Sequence, residues 1–98
     1  MSAYVVMMRE RTTDPAEMEI YASQAPLARE GHPVTPVARY GTLEILEGED
    51  FEGCLIHNFP TMEDAKKWYY GPRYQEAMQH RLKGAQYRVF IVEGATTS

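Results

Sequence analysis

The sequence contains very little cysteine: Cys54 is the only one among 98 residues. A single cysteine cannot form an internal disulfide bond, and an unpaired thiol is typical of proteins in the reducing cytoplasm. His32, His57 and His80 lie far apart and have no cysteine partners, so no zinc-ligand spacing is present. We therefore expect a cytoplasmic protein without a metal site.

Long apolar runs and a basic excess are also missing. No apolar stretch approaches the ~20 residues that a membrane-spanning helix needs. Residues 1–11 lack the basic start of a secretion signal, and their apolar run is short. The formal net charge is −4, and the acidic and basic residues are interspersed. Nucleic-acid binding requires a clustered basic face, so neither a membrane nor a nucleic acid is an expected partner.

The composition is that of a globular protein, with 44% hydrophobic and 24% charged residues. The length predicts a single domain over residues 1–98, in which the small polar residues 93–98 form a loose tail. A domain of this size buries only about 60–65% of its unfolded surface. Dimerisation is one way to enlarge such a small core.

The stretch 59–74 carries the clearest local signal. Thr61 is a good helix N-cap, because its hydroxyl can accept from the backbone N–H of Asp64. Pro72 would cost about 3 kcal/mol inside a helix but suits a first helical position. One helix is therefore expected to end before Pro72, and a second to run on to Gly84. The apolar stripe of the first consists of Met62, Ala65, Trp68 and Tyr69.

An earlier helix is predicted after Asp14, which is a suitable N-cap followed by Pro15 at the first helical position. Pro26 should kink this helix or divide it into two pieces. The apolar residues of the segment form a buried stripe. The polar residues expected to face water are Glu17, Glu19, Gln24 and Arg29.

Short apolar runs rich in β-branched and aromatic residues predict four strands. They span Ala3–Arg9, Val34–Tyr40 with a continuation over Thr42–Leu46, Gly53–Phe59, and Gln86–Val92. The order strand, helix, strand, strand, helix, strand is that of the ferredoxin-like βαββαβ fold. This is an α+β fold with a four-stranded antiparallel sheet and both helices on one face.

The first and last strands are apolar at consecutive positions, so both of their faces need cover. Helices cover one face of the sheet. The same face of a second copy is the simplest cover for the other. The sequence therefore predicts a homodimer in which two sheets pack together.

Several motifs match the pattern of a known family. They are the helix start Asp14-Pro15 with Tyr21 and Ala25-Pro26, the segment Leu43-Glu44-Ile45-Leu46-Glu47-Gly48, the central motif Phe59-Pro60-Thr61-Met62-Glu63-Asp64-Ala65 with Trp68-Tyr69 and Pro72-Arg73-Tyr74-Gln75, and the terminal Val92-Glu93-Gly94. On these residues the chain resembles the domain of unknown function 1330 family over nearly its whole length. It departs from the family at His57-Asn58, where an apolar and then an acidic residue are usual.

The resemblance implies a dimeric α+β barrel. That superfamily includes cofactor-free antibiotic-biosynthesis monooxygenases, muconolactone isomerases, polyketide cyclases and haem-binding chlorite dismutases. The function of the family itself is unknown, so the resemblance implies no assigned reaction. It does imply a ligand cavity between sheet and helices.

His57 and Arg39 are the candidate catalytic residues. The unperturbed pKa of histidine lies near neutrality, so His57 is a candidate base. The alternative is a strand histidine bonded to a neighbour. Arg39 is suited to holding a carboxylate through two hydrogen bonds, and its alternative is an ion pair with an acidic residue. Strand alternation predicts that only one of Arg39 and Tyr40 points inward.

Aromatic residues at helical spacing usually bury area in the core, yet Tyr and Trp keep a polar group that can reach a cavity. Arg81 shares the apolar face of its helix, so it either enters the cavity or snorkels. The predicted ligand pocket consists of Tyr40, Trp68, Tyr69, Tyr74 and Arg81.

Two functions remain open at this point. The first is a cofactor-free enzyme of isomerase, cyclase or monooxygenase type that acts on a small organic molecule. The second is a non-catalytic module that binds a small ligand or a partner protein. Haem ligated by His57 or His80 is a third, minor possibility, and otherwise no cofactor is expected.

Overall fold

The computed structural model describes residues 2–95. A short 3-10 helix over Ala25–Arg29 follows the first α-helix, and the connection between the second and third strands contains no helix or strand. The elements in chain order are β1 (Ala3–Thr12), α1 (Pro15–Gln24), the 3-10 helix, β2 (Thr35–Arg39), β3 (Gly53–Phe59), α2 (Met62–Tyr70), α3 (Pro72–Gly84) and β4 (Ala85–Glu93).

The strands form one four-stranded sheet in the order β2-β3-β1-β4. Every neighbouring pair is antiparallel. This is the order of the ferredoxin-like fold, so the predicted α+β fold class is confirmed.

The helix ends follow the predicted capping residues. Asp14 accepts a hydrogen bond from Ala16 N at 3.1 Å, and Thr61 Oγ1 accepts one from Asp64 N at 3.0 Å. Pro72 is the first residue of α3. Pro26 lies in the 3-10 helix that replaces the end of α1, as the predicted division requires.

Strand register decides which side chains face the helices. Val5 of β1 lies opposite His57 on one side and Ile91 on the other, so the three share the inner face. Trp68 of α2 and Tyr74 of α3 cover that face from above. The buried core consists of Val5, Met7, Tyr21, Ala28, Phe59, Ala65, Trp68, Tyr74 and Ala77.

The outer face of the sheet is apolar and has no covering element among residues 2–95. Val6 of β1 pairs with Ile56 of β3 on one side and with Phe90 of β4 on the other. Phe90 is 46% exposed and Val92 is 48% exposed. Such a contiguous apolar surface is unusual for a free monomer.

Two predicted element limits in the first half are wrong. β1 continues to Thr12, beyond the predicted end at Arg9, through a bulge next to β4. Residues 42–46 are not a strand. The chain leaves the sheet at Tyr40, which has a positive φ of 51°. Residues 42–46 have no neighbouring strand in the described part of the chain that could hydrogen-bond with their backbone. An apolar segment without such a partner does not form a sheet.

Residues 93 and 94 of the predicted loose tail are bonded to the rest of the domain. Glu93 belongs to β4 and pairs with Ala3, and Gly94 N donates to Ser2 O at 2.7 Å. Residues 96–98 of that prediction lie outside the described residues. Across residues 2–95, every helix is too short or too polar to cross a membrane.

Candidate functional site

A cavity of about 250 Å³ lies between the inner face of the sheet and the helices. Every strand contributes to its wall, as do α1, the 3-10 helix, α2 and α3. Its lining residues are Met7, Arg9, Met18, Tyr21, Ala22, Ala25, Pro26, Arg29, Arg39, Tyr40, Leu55, His57, Trp68, Tyr74 and Tyr87.

Most of the predicted site residues meet at this cavity. Arg39, Tyr40, His57, Trp68 and Tyr74 line it, although they come from four different parts of the chain. Two predicted pocket residues, Tyr69 and Arg81, do not line it.

His57 lies in the middle of the inner face and is only 4% exposed. Its ring meets Trp68 edge-on, with the ring centroids 5.8 Å apart. Its Nδ1 is buried and has no hydrogen-bond partner among the described residues. The predicted alternative, a histidine bonded to a neighbouring side chain, is therefore not observed for this nitrogen.

Burial and, to a smaller extent, the positive charges of Arg29 and Arg39 together lower the pKa of His57 to about 4. The imidazole is consequently neutral at pH 7. The near-neutral pKa assumed from the sequence does not apply to His57 in this buried site, because that value belongs to a solvated histidine.

Arg29 and Arg39 bring two positive charges to the wall from opposite layers. Arg39 ends β2 and stands opposite Leu55, whereas Arg29 ends the 3-10 helix. Neither forms an ion pair with an acidic side chain of residues 2–95. The prediction that Arg29 faces water is wrong: it is half-buried on the cavity wall.

Tyr40 lines the cavity together with Arg39, so the prediction that only one of them points inward is wrong. The left-handed backbone at Tyr40 breaks the strand alternation. The hydroxyl of Tyr40 lies 2.8 Å from that of Tyr87, and the Arg9 guanidinium lies 4.8 Å from the centre of the Tyr40 ring. Arg9 is itself paired with Glu52, whose Oε1 lies 3.2 Å from Arg9 Nε.

The apolar end of the cavity is aromatic. Trp68 packs on Tyr74 with their ring centroids 4.4 Å apart. The hydroxyl of Tyr74 is 2.8 Å from that of Tyr21. Trp68 is 2% exposed, and its Nε1 has no hydrogen-bond partner among the described residues. An indole N–H can only donate, so Trp68 keeps one unsatisfied buried donor.

Arg81 lies behind the tyrosines rather than on the wall. It is 4% exposed, and its guanidinium carbon lies 5.0 Å from the centre of the Tyr87 ring. Its positive charge opposes the effect of burial, which raises the pKa of Tyr74. Tyr69 packs against Tyr74 with centroids 5.4 Å apart and donates to the sulfur of Met78.

Sequence reasoning missed four polar residues of the wall: Arg9, Tyr21, Arg29 and Tyr87. Two of them had a usable signal. Arg9 continues the inward alternation of Val5 and Met7, and Tyr87 has the parity of the inner face of β4. Arg29 lies on a 3-10 helix beyond Pro26, where helical spacing no longer fixes direction.

The cavity can hold a small organic molecule between an aromatic end and a polar rim of arginine and tyrosine side chains. His57 lies between the two ends. Within residues 2–95 no group of three His, Cys, Asp or Glu side chains is arranged to hold a metal ion.

Comparison with known protein families gives one match. The model described as "Domain of unknown function (DUF1330)" matches residues 2–95. No curated protein matches the chain.

Solved structures resemble the fold at low sequence identity. A protein of unknown function from Rhodopseudomonas palustris has a TM-score of 0.73 at 16% identity, covering 98% of this chain and 84% of its own. A dimeric ferredoxin-like protein of unknown function from Bacteroides fragilis has a TM-score of 0.63 at 14% identity, covering 95% and 96%. SnoaB, a cofactor-independent oxygenase from Streptomyces nogalater, has a TM-score of 0.62 at 10% identity, covering 98% and 95%. At such identities the likeness concerns the fold alone.

Proposed function

The chain belongs to the DUF1330 family, and from that premise we propose that it is a cofactor-independent enzyme that acts on a small organic molecule in the cavity. His57 is the proton acceptor. Arg39 stabilises the negative charge that forms on the substrate when the proton leaves.

The observation that carries this proposal is the state of His57. A neutral imidazole with an unpartnered Nδ1 stands on the wall of a cavity that also contains Arg39. An unpartnered buried polar atom costs about 1–3 kcal/mol, and no described residue offsets this cost at Nδ1.

Proton abstraction is the first step shared by isomerase, cyclase and cofactor-free monooxygenase chemistry. The proton moves from a carbon or hydroxyl group of the substrate to His57, which becomes an imidazolium. The electron pair stays on the substrate as an enolate or phenolate. Arg39 and the imidazolium stabilise this anion by their positive charge. SnoaB supports the reaction class by fold analogy alone.

The low pKa of His57 favours the alternative, a non-catalytic module that binds a small ligand or a partner protein. A base with a pKa of about 4 accepts a proton weakly. The negative charge that develops on a bound substrate would offset Arg29 and Arg39 and raise this pKa. The enzyme therefore depends on that compensation, and the binding module does not.

The proposal includes a homodimer that buries the two outer sheet faces against each other, as in a dimeric α+β barrel. Support comes from the exposed apolar side chains of that face, Phe90 and Val92 among them. The Bacteroides fragilis protein of the same fold is described as dimeric. A cytoplasmic location also belongs to the proposal, and the free thiol of Cys54 favours it.

Proton exchange tests the enzyme without knowledge of the final product. A panel of small enolisable acids and phenols is incubated with the protein in D₂O, and NMR follows the loss of carbon-bound protons. The enzyme exchanges deuterium into at least one compound, and His57→Ala abolishes that exchange. His32→Ala is the control, because His32 does not line the cavity.

Exchange that persists at the wild-type rate in His57→Ala would remove His57 from the chemistry. Compounds that bind to the cavity without any exchange above the buffer rate would establish the binding module instead.

A further inference from the structure

We propose that the natural ligand of the cavity is an organic anion, a carboxylate on a small flat apolar body, whose negative charge is bound between Arg29 and Arg39. This inference takes the choice of cavity from the proposed function. It adds the chemical class of the ligand.

The charges on the wall have one sign. Arg9, Arg29 and Arg39 line the cavity, and no Asp or Glu does. The whole chain carries the opposite balance, with a formal net charge of −4. Arginines gathered without acids in an acidic protein produce a local positive potential, which attracts anions.

Two of the three arginines are uncompensated among the described residues. Arg9 has Glu52 beside it, whereas neither Arg29 nor Arg39 forms an ion pair with an acidic side chain of residues 2–95. Both line the same cavity, Arg29 from the helical layer and Arg39 from the edge strand of the sheet. A guanidinium matches a carboxylate through two parallel hydrogen bonds.

The arginine side chains of this wall carry donors and no acceptor. A ligand that bonds to their guanidinium groups must therefore supply acceptors. A carboxylate offers two oxygens and no donor, and it complements such a wall better than an amide or an amine.

Size and lining determine the rest of the ligand. An apolar cavity of about 150 Å³ admits benzene, so about 250 Å³ admits one substituted ring or a short unsaturated chain. Met18, Leu55 and Trp68 supply apolar contact around it. A strongly hydrated ion such as inorganic phosphate would leave this surface unused.

Two uncompensated guanidinium groups also suit the proposed chemistry. The ligand enters with one negative charge and gains a second when His57 removes its proton. Arg29 and Arg39 supply two positive charges to match these two negative charges.

Trp68 allows a direct test, because it is the single tryptophan of the chain and lines the cavity. Quenching of its fluorescence reports binding of matched pairs: benzoate with benzamide, salicylate with salicylamide, and cinnamate with cinnamamide. At least one acid binds about 10-fold or more tightly than its amide, since charged hydrogen bonds contribute that much. Rising salt weakens binding of the acid and leaves that of the amide unchanged.

Arg29→Gln and Arg39→Gln each reduce this preference for the acid about 10-fold. Arg11→Gln is the matched control, because Arg11 is exposed on β1 and does not line the cavity. Circular dichroism confirms that each variant is folded.

Amides that bind as tightly as their acids would overturn the inference while leaving the cavity as a ligand site. A preference for acids that survives in both cavity variants would overturn it as well. Binding of acids without deuterium exchange would support the anion site and refute the enzyme, so the two proposals fail separately. A panel in which no compound quenches Trp68 would refute both.

Discussion

The ring of Tyr40 occupies the space that a side chain at residue 53 would need. A Cβ atom placed on Gly53 would stand 2.7 Å from Cδ1 of Tyr40. Gly53 is thus required where β3 begins, because it lets Tyr40 lie flat against the strand and reach Tyr87. Gly53, the first residue of β3, therefore supports the position of Tyr40 on the cavity wall.

Gly53→Ala should displace Tyr40 and lower the free energy of unfolding by roughly 1–2 kcal/mol, because the Tyr40–Tyr87 hydrogen bond and the contact with Arg9 are lost. Urea denaturation measures the change. In a Tyr40→Ala background the same substitution should cost much less, since the ring that it strikes is gone. Equal costs in the two backgrounds would show that Tyr40 does not set the requirement.

The buried hydroxyl groups of Tyr21 and Tyr74 should contribute to stability as one coupled pair and not as two independent groups. Tyr21→Phe leaves the Tyr74 hydroxyl without its 2.8 Å partner in a buried site and should cost about 1–3 kcal/mol. The double variant Tyr21→Phe, Tyr74→Phe should cost less than the sum of the two single changes. Tyr70→Phe is the control, because Tyr70 is 70% exposed. Additive losses in chemical denaturation would rule out the coupling.

His57 should make stability depend on pH below neutrality. Its pKa is lowered to about 4 in the folded chain, so between about pH 6.5 and pH 4 the unfolded chain binds a proton that the folded chain does not. Stability therefore falls as the pH falls through this window. The loss should be roughly 2 kcal/mol between pH 7 and pH 5.

The measurement is urea unfolding at pH 7 and pH 5. His57→Phe should remove most of the pH dependence in this range, because phenylalanine does not titrate. His32→Gln should keep it. An unchanged slope in His57→Phe would assign the effect to other groups.

Local signals predicted the helices well, because their ends depend on residues next to them in sequence. Asp14, Thr61 and Pro72 begin three helices at the positions that capping chemistry requires. Strand alternation likewise accounts for the burial of His57 and Phe59 on the same face of β3. These features need no knowledge of distant contacts.

The failures all involve distant contacts. The segment 42–46 has the residues of a strand, but a strand exists only beside a partner. Tyr40 adopts a left-handed backbone where Tyr87 and Gly53 receive its ring, and neither is near it in sequence. Arg81 was expected to enter the cavity or reach solvent. It lies instead over Tyr87, a contact set by the packing of α3 on β4.

The outer face of the sheet provides the last prediction. Its apolar residues are Tyr4, Val6, Met8, Cys54, Ile56, Phe90 and Val92, which alternate with the inner residues of β1, β3 and β4. A stable dimer interface buries about 1,200–2,000 Å² in total. In the proposed dimer, Phe90→Glu brings a carboxylate from each copy into this surface, where an unpaired charge costs several kcal/mol.

Light scattering at micromolar concentration should therefore give a dimer for the unaltered protein and a monomer for Phe90→Glu. Leu82→Glu adds the same charge to an apolar residue of α3 that is 58% exposed, and it should leave the dimer intact. If the added charge alone dissociates the dimer, Leu82→Glu will also be a monomer. The sheet face is then not the interface. A monomeric unaltered protein would refute the dimer directly, since the apolar face would then be stable in water.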